Sequence, residues 1–300
     1  MKIKSAYLYI IAATLIWGAT APIMKITLQE VPVFSLAFIR MAAAAIILFT
    51  AVYAKLNIKK EDLPTFIYAS VAGVTLNLSL FFFGLKLSSA INASLLIASV
   101  PIFTILAAHF YLKEKLGAKL TIAAAIAFAG VVLIIGKPEG PTTFLKIIGN
   151  ILLLLSSLSW VVHELFSKKL LAKYESSVVT FYVMAIGAIS FLPFAIWDLI
   201  KNPSWIGGVS AGGELGIIYG IIFASLIAYL AWQRGLAKLP AGEASFFFYL
   251  DPITGAVLSI ILLGETLTTN LAIGGALIFI GVALAEYKRQ NHPLLKDAVN

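Results

Sequence analysis

FFFYLDPITGAVLSIILLGETLT, residues 246–268, is an almost unbroken apolar run with an aspartate and a proline in its middle. LLIASVPIFTILAAHFYLKEKLG, residues 95–117, has the same proline and the same closing glutamate, but Val100 stands where the other carries Asp251. A shift of 151 residues lays Gly84–Gly117 on Gly235–Thr268 with ten identities in 34 positions, including Gly84/Gly235, Ser94/Ser245, Pro101/Pro252 and Glu114/Glu265. Proline and glutamate are scarce here, so shared hydrophobicity does not explain the match. A weaker match at a shift of 143 aligns Trp17/Trp160, Lys25/Lys168, Phe38/Phe181 and Met41/Met184. The chain reads as two halves, 1–140 and 141–300.

Each of the quoted runs is long enough to cross a bilayer, since ~20 apolar residues span a ~30 Å hydrocarbon core as a helix. Ten such runs lie near 6–28, 33–54, 64–86, 90–112, 118–136, 146–170, 177–199, 213–237, 242–263 and 269–287. Of the 300 residues, 61% are hydrophobic and 12% charged, with a mean hydropathy of +0.99. Soluble domains carry roughly 25% charged residues. The expected fold is an all-α membrane protein of ten transmembrane helices. The first segment imitates a signal peptide, but its apolar stretch runs past Pro22 to Leu28, which reads as a retained first span.

The formal charge of +8 is topological and gives no reason to expect nucleic acid. With the N-terminus inside, Lys25, Lys86, Lys137, Lys146 and Lys201 fall outside and Arg40 within a span, which leaves 16 of the 22 basic residues on the inner side. That bias places both termini in the cytoplasm, with the chain in the cytoplasmic membrane. Five spans per half is an odd number, so the second half enters inverted. The charges agree: Lys113, Lys115 and Lys119 after the fourth span become Gly264, Thr266 and Asn270 after the ninth. Inverted five-helix repeats are a frequent architecture of secondary transporters, which hold their solute near the midplane between the halves.

WGATAPIMK (17–25), YLKEKLGAKLTIAAAIAFAGVVLI (111–134) and LDPITGAVLSIILLGETLTTNLAIGGALIFIGVALA (250–285) resemble the EamA-type drug/metabolite transporters over nearly the whole chain. The resemblance implies ten spans in two inverted halves and movement of small metabolites, commonly amino-acid export. Lys113 stands where a glycine often precedes the glutamate, an adaptation of an inner loop.

Pro101 and Pro252 lack the N–H that would bond Ile97 and Phe248, so each opens its helix at mid-span. Freed backbone at membrane depth needs protein, water or a ligand, which makes both prolines candidate hinges around a central cavity. An ionised Asp251 at that depth costs about 2.5–3.5 kcal/mol on insertion scales. It must face a watery cavity, meet a cation or carry a proton. Proton coupling and recognition of a substrate ammonium are the functional readings, and a buried ion pair or interhelical hydrogen bond is the structural one.

Ser156, Trp160 and His163 share one face of the sixth span, with His163 a candidate proton acceptor. Trp17 and Trp160 lie too deep for the interfacial belt and could stack on an organic solute or simply pack. Asn77 in span three, and Tyr229 and Gln233 in span eight, are further polar candidates, although such residues often only bind helices together. Arg40 could neutralise an acid or hold a substrate carboxylate. Lys25 is expected to snorkel outward, Glu164 to pair with Lys168 four residues on, and Glu114 and Glu265 to favour the start of the helix that follows each.

With no cysteine, thiolate sites and disulfides are excluded. No H-E-x-x-H, G-x-S-x-G or Walker A motif occurs, which argues against an enzyme or an ATP-driven pump. No cofactor or metal is expected. The expected partners are the lipid bilayer, a small-molecule solute and, through Asp251 or His163, protons. The oligomeric state stays open, a monomer included. The leading function is a secondary transporter of small polar metabolites, an amino-acid exporter first. A channel, a small-ligand receptor, or an exporter of cationic drugs or nucleobases are the alternatives.

Overall fold

A computed structural model describes residues 3–112, 118–136 and 144–290. Among these residues the chain is helical without strands. Its helices are α1 (Ile3–Thr27), α2 (Val33–Val52), α3 (Lys60–Leu87), α4 (Ala90–Ile97), α5 (Val100–Leu112), α6 (Ala118–Gly136), α7 (Phe144–Leu171), α8 (Ser176–Lys201), α9 (Ala211–Leu236), α10 (Ala241–Leu263) and α11 (Thr269–Gln290). Seven of the ten expected spans, on α1, α2, α3, α7, α8, α9 and α10, are long and apolar enough to cross a membrane. The other three coincide with shorter apolar stretches, Ala90–Thr104, Ala125–Ile134 and Thr269–Gly281. Ile46, Ile189, Ile200 and Ile261 are each about 70% exposed on the outer surface. Apolar side chains facing outward on helices of this length mark a multi-pass membrane protein.

Polar side chains stop and start these helices at both ends of the bundle. Asp198 at the end of α8 accepts the backbone N–H of Phe34 and Ser35 at the start of α2, at 3.1 and 2.9 Å. Ser89 and Ser210 cap α4 and α9 through Asn92 N–H and Gly213 N–H. Such caps satisfy donors that no intrahelical carbonyl can reach. Glu30, in the turn after α1, accepts both the N–H and the hydroxyl of Ser210, which holds its carboxyl below the usual carboxylate range. At the opposite end Lys173 pairs with Asp62 at 2.6 Å and Lys55 with Glu175 at 2.9 Å.

Small residues set the closest approaches, as expected for helices packed in lipid. α6 lies along α11 where a Cβ on Gly130 would sit 2.4 Å from the Gly274 carbonyl. α1 crosses α10 where a Cβ on Gly18 would sit 2.9 Å from the Asp251 carbonyl.

Four departures from regular helix lie at the centre. α4 ends at Ile97 and α5 begins at Val100, so the chain breaks just before Pro101. α10 tightens to a 3-10 turn over Phe246–Tyr249, just before Pro252. α3 and α9 widen into π turns at Val71–Leu76 and Gly220–Ile227. The two π turns expose backbone carbonyls to side chains from neighbouring helices.

Candidate functional site

Those four irregular stretches surround a central cavity of about 80 Å³. Trp17, Arg40, Asn77, Ser156, Trp160, Tyr229 and Asp251, all singled out by sequence, line it together. Thr20, Leu78, Phe81, Ile97, Val100, Ser157 and Phe248 complete its wall.

Asp251 is 1% exposed, and neither carboxylate oxygen has a hydrogen-bond partner. Arg40 is 2% exposed. Its Nε donates to the Gly220 carbonyl and to Ser225 Oγ, both at 3.2 Å, and its guanidinium lies 5.5 Å from the centre of the Phe82 ring. Its Nη1 has no partner. No ion pair joins the two residues, so the cavity presents an acid and a base separately. Buried charges left this way are costly.

The remaining candidates fall into two groups. Asn77 Nδ2 donates to the Ser156 carbonyl and hydroxyl, and Ser156 Oγ donates back to the Asn77 carbonyl at 3.1 Å, a mutual clasp between α3 and α7. Trp17 makes edge contacts with Trp160 and Tyr229 at centroid distances of 5.0 and 5.3 Å, and lies parallel to Phe248 at 6.1 Å. Trp232, fully buried, closes this layer 4.7 Å from Phe248. Trp17, Trp160, Tyr229 and Phe248 form the aromatic floor of the cavity.

His163 and Gln233 are not in the cavity wall. His163 packs at a tilt behind Trp160 at 4.8 Å, bonds the Ala69 carbonyl through Nδ1 at 2.8 Å, and meets Gln233 and Ser167 through Nε2 at 3.3 Å. A histidine enclosed this way is a packing and bridging group in this conformation. Pro101 and Pro252 follow the broken and tightened turns next to Val100 and Asp251.

The π turns explain why so many candidates converge. Their carbonyls and those beside them accept from side chains of other helices. Ala69 takes His163, Ala72 takes Ser159, Gly73 takes Tyr229, Gly220 takes Arg40 and Ala224 takes Trp17. Gly73 has to be a glycine, since a Cβ there would lie 2.1 Å from His163 Nδ1. Sequence reasoning missed Trp232, Gly73, Gly220 and Ser225. Trp232 follows Tyr229 by three residues, a helical spacing that could have flagged it; the π turns left no legible signal.

Three expectations about charges are corrected. Glu265 does not serve the helix after it: its carboxylate accepts Ala90 N–H and Ile91 N–H, both at 2.9 Å, and so caps α4. The orphan donors there are backbone groups pointing at it, while α11 begins elsewhere. Lys25 does not snorkel; it pairs with Glu265 at 3.2 Å and donates to the Ser88 carbonyl. Lys168 does not pair with Glu164. It donates to the Leu236 and Leu239 carbonyls at 2.6 and 2.7 Å, while the fully buried Glu164 accepts from Thr104 at 3.3 Å. Glu114 lies outside the described residues.

A model of the EamA-like transporter family matches residues 4–136 and 147–287. A chain named "Uncharacterized transporter" in Archaeoglobus fulgidus is 30% identical over 292 residues, covering 95% of this chain and 99% of that one. The "Probable terminal-alkyne amino-acid exporter" of Streptantibioticus cattleyicolor is 25% identical over 95% of this chain and 94% of its own. A solved crystal structure with 22% identity superposes with a TM-score of 0.69, covering 96% of this chain and 98% of that one, and so shares the fold.

Proposed function

This chain belongs to the EamA-like transporter family, and from that premise we propose a ten-span secondary transporter that moves small zwitterionic metabolites, amino acids first, by alternating access. Its halves, 1–140 and 141–300, are inverted five-helix repeats, and both termini lie in the cytoplasm. The observation that carries the reading is the pair of buried ionisable side chains, Arg40 and Asp251, on one central cavity with no ion pair between them. A carboxylate suits Arg40, an ammonium suits Asp251, and the aromatic floor suits an apolar side chain between them. The irregular turns support the two-half reading. The π turns end before Asn77 and Ala228, 151 residues apart, and Pro101 and Pro252, each just after a disturbed turn, lie at the same offset.

The exporter named among the relatives supports amino acids as the first class to test. Uptake into proteoliposomes of amino acids, nucleobases and cationic dyes, with and without a pH gradient, tests the proposal. Saturable uptake of amino acids, lost for their esters and for nucleobases, is the expected result. Uptake of cationic dyes alone would favour the drug-export alternative.

A further inference from the structure

Side-chain contacts between the helices follow the same offsets as the sequence, 143 for α1 onto α7 and 151 for α3 onto α9. Lys25 donates to the Ser88 carbonyl, and the matching Lys168 donates to the matching Leu239 carbonyl. A Cβ on Gly84 would meet the Leu153 side chain at 2.8 Å and the Gly149 carbonyl at 2.9 Å. On the matching Gly235 it would meet the matching Ile10 and Ala6 carbonyl, at 2.4 and 3.0 Å.

The contact of the two cavity-wall indoles breaks this correspondence. Trp17 Nε1 donates to the Ala224 carbonyl at 2.9 Å. The matching pair is Trp160 and Gly73, but the Gly73 carbonyl accepts the Tyr229 hydroxyl at 3.0 Å instead. Trp160 Nε1 is left buried with no partner. Its ring lies against Tyr229 at 5.7 Å, next to the carbonyl it lacks. The position matching Tyr229 is Leu78, which has no hydroxyl, so the competition exists on one side alone. An orphaned buried N–H is costly, and an exchange that satisfies Trp160 while releasing Trp17 moves that cost from one half to the other.

We propose that the Gly73 carbonyl is a switch acceptor, held by Tyr229 in the conformation seen and by Trp160 in the conformation of opposite accessibility. The inference rests on the two-half transporter reading, because it requires halves that exchange conformations. In the exchange the Tyr229 O–H···O bond breaks and the hydroxyl turns into the cavity it lines. The Trp160 N–H then donates to Gly73, and Trp17 releases Ala224. Both indoles line the cavity, so the exchange reshapes the surface against the solute.

The test follows the indole N–H resonances of ¹⁵N-tryptophan protein in lipid nanodiscs, five signals assigned by single Trp→Phe substitutions. Tyr229→Phe removes the competitor. The Trp160 signal is expected to move downfield toward the hydrogen-bonded position and the Trp17 signal upfield, with populations shifting about fivefold, the effect of one ordinary hydrogen bond. Tyr229→Leu, the residue of the matching position, gives the same shifts, and an unmoved signal from Trp205, in the turn after α8 and packed on the core, reports a folded bundle. In a Trp160→Phe background Tyr229→Phe leaves the Trp17 signal in place. A Trp160 signal that does not respond, or a Trp17 signal that moves equally in both backgrounds, overturns the switch. Shifts as expected in a protein that moves no solute support the exchange and sink the transport reading; transport with an unresponsive Trp160 sinks the exchange alone.

Discussion

Asp251 and Arg40 line one cavity from α10 and α2, each almost wholly buried, and form no ion pair with one another. A protein under selection for stability alone would pair them or replace them with apolar residues. Their separation is the main reason to read the cavity as a site for a solute that carries both charges.

Asp251→Asn should therefore hold or raise thermal stability while damaging transport. The amide keeps the shape and removes a carboxylate with no partner, and the reverse outcome is expected of a residue that only supports the fold. Thermal unfolding in detergent micelles, monitored by intrinsic fluorescence, checks the first half. A Tm several degrees lower would show that Asp251 holds the helices together.

Arg40→Gln should erase discrimination between an amino acid and its methyl ester. The two compounds differ at the group assigned to Arg40, and a hydrogen bond to a charged group is worth about 1.5–3 kcal/mol, or roughly 10- to 150-fold in affinity. Competition by each compound for uptake of a labelled amino acid measures the ratio in both proteins. An unchanged ratio places the carboxylate elsewhere.

Much of this site was legible as a set of residues and little of it as a geometry. Asp251 and Arg40 stood out because ionisable groups at membrane depth are expensive, and Trp17 and Trp160 because of their repeat positions. His163 and Gln233 carried the same polarity signal but lie behind the aromatic layer, since spacing on a helix fixes a face and not a neighbour. The partners of Lys25, Lys168 and Glu265 were misread for a related reason. Local rules favour residues four apart or the next helix, whereas Glu265 finds its donors on α4, 174 and 175 residues away. π turns have no compositional mark, so their accepting carbonyls stayed hidden.

Gly73→Ala should destabilise the bundle by about 1–3 kcal/mol, the usual cost of overpacking, because the new methyl would lie 2.1 Å from His163. His163→Ala in the same chain should recover part of that loss by opening space. Unfolding midpoints of the four proteins of the cycle give the coupling, and strictly additive effects would contradict the contact.

Glu265→Gln should cost about 1–2 kcal/mol by weakening the cap on α4 and its bond to Lys25. Lys25→Met should cost less in the Glu265→Gln background than alone. Equal costs in both backgrounds would show that the Lys25–Glu265 pair contributes nothing.

Glu30 offers a test in pH. Its two bonds from Ser210 lower its pKa in the folded protein, so its contribution to stability is present above the unfolded value of about 4.3. It is lost as pH falls through the lower folded value. Glu30→Gln should thus be less stable than the parent at pH 6–7, with the gap closing below about pH 4. A gap independent of pH between 7 and 3 would remove the carboxylate from the account.

The central claim is tested most directly by counterflow of a labelled zwitterionic amino acid in proteoliposomes, with the parent chain and Asp251→Asn measured side by side. The account predicts saturable counterflow by the parent and a rate at least about tenfold lower for Asp251→Asn, the loss of one charged hydrogen bond. Equal rates for the two, or no counterflow of any amino acid by the folded parent, would contradict it.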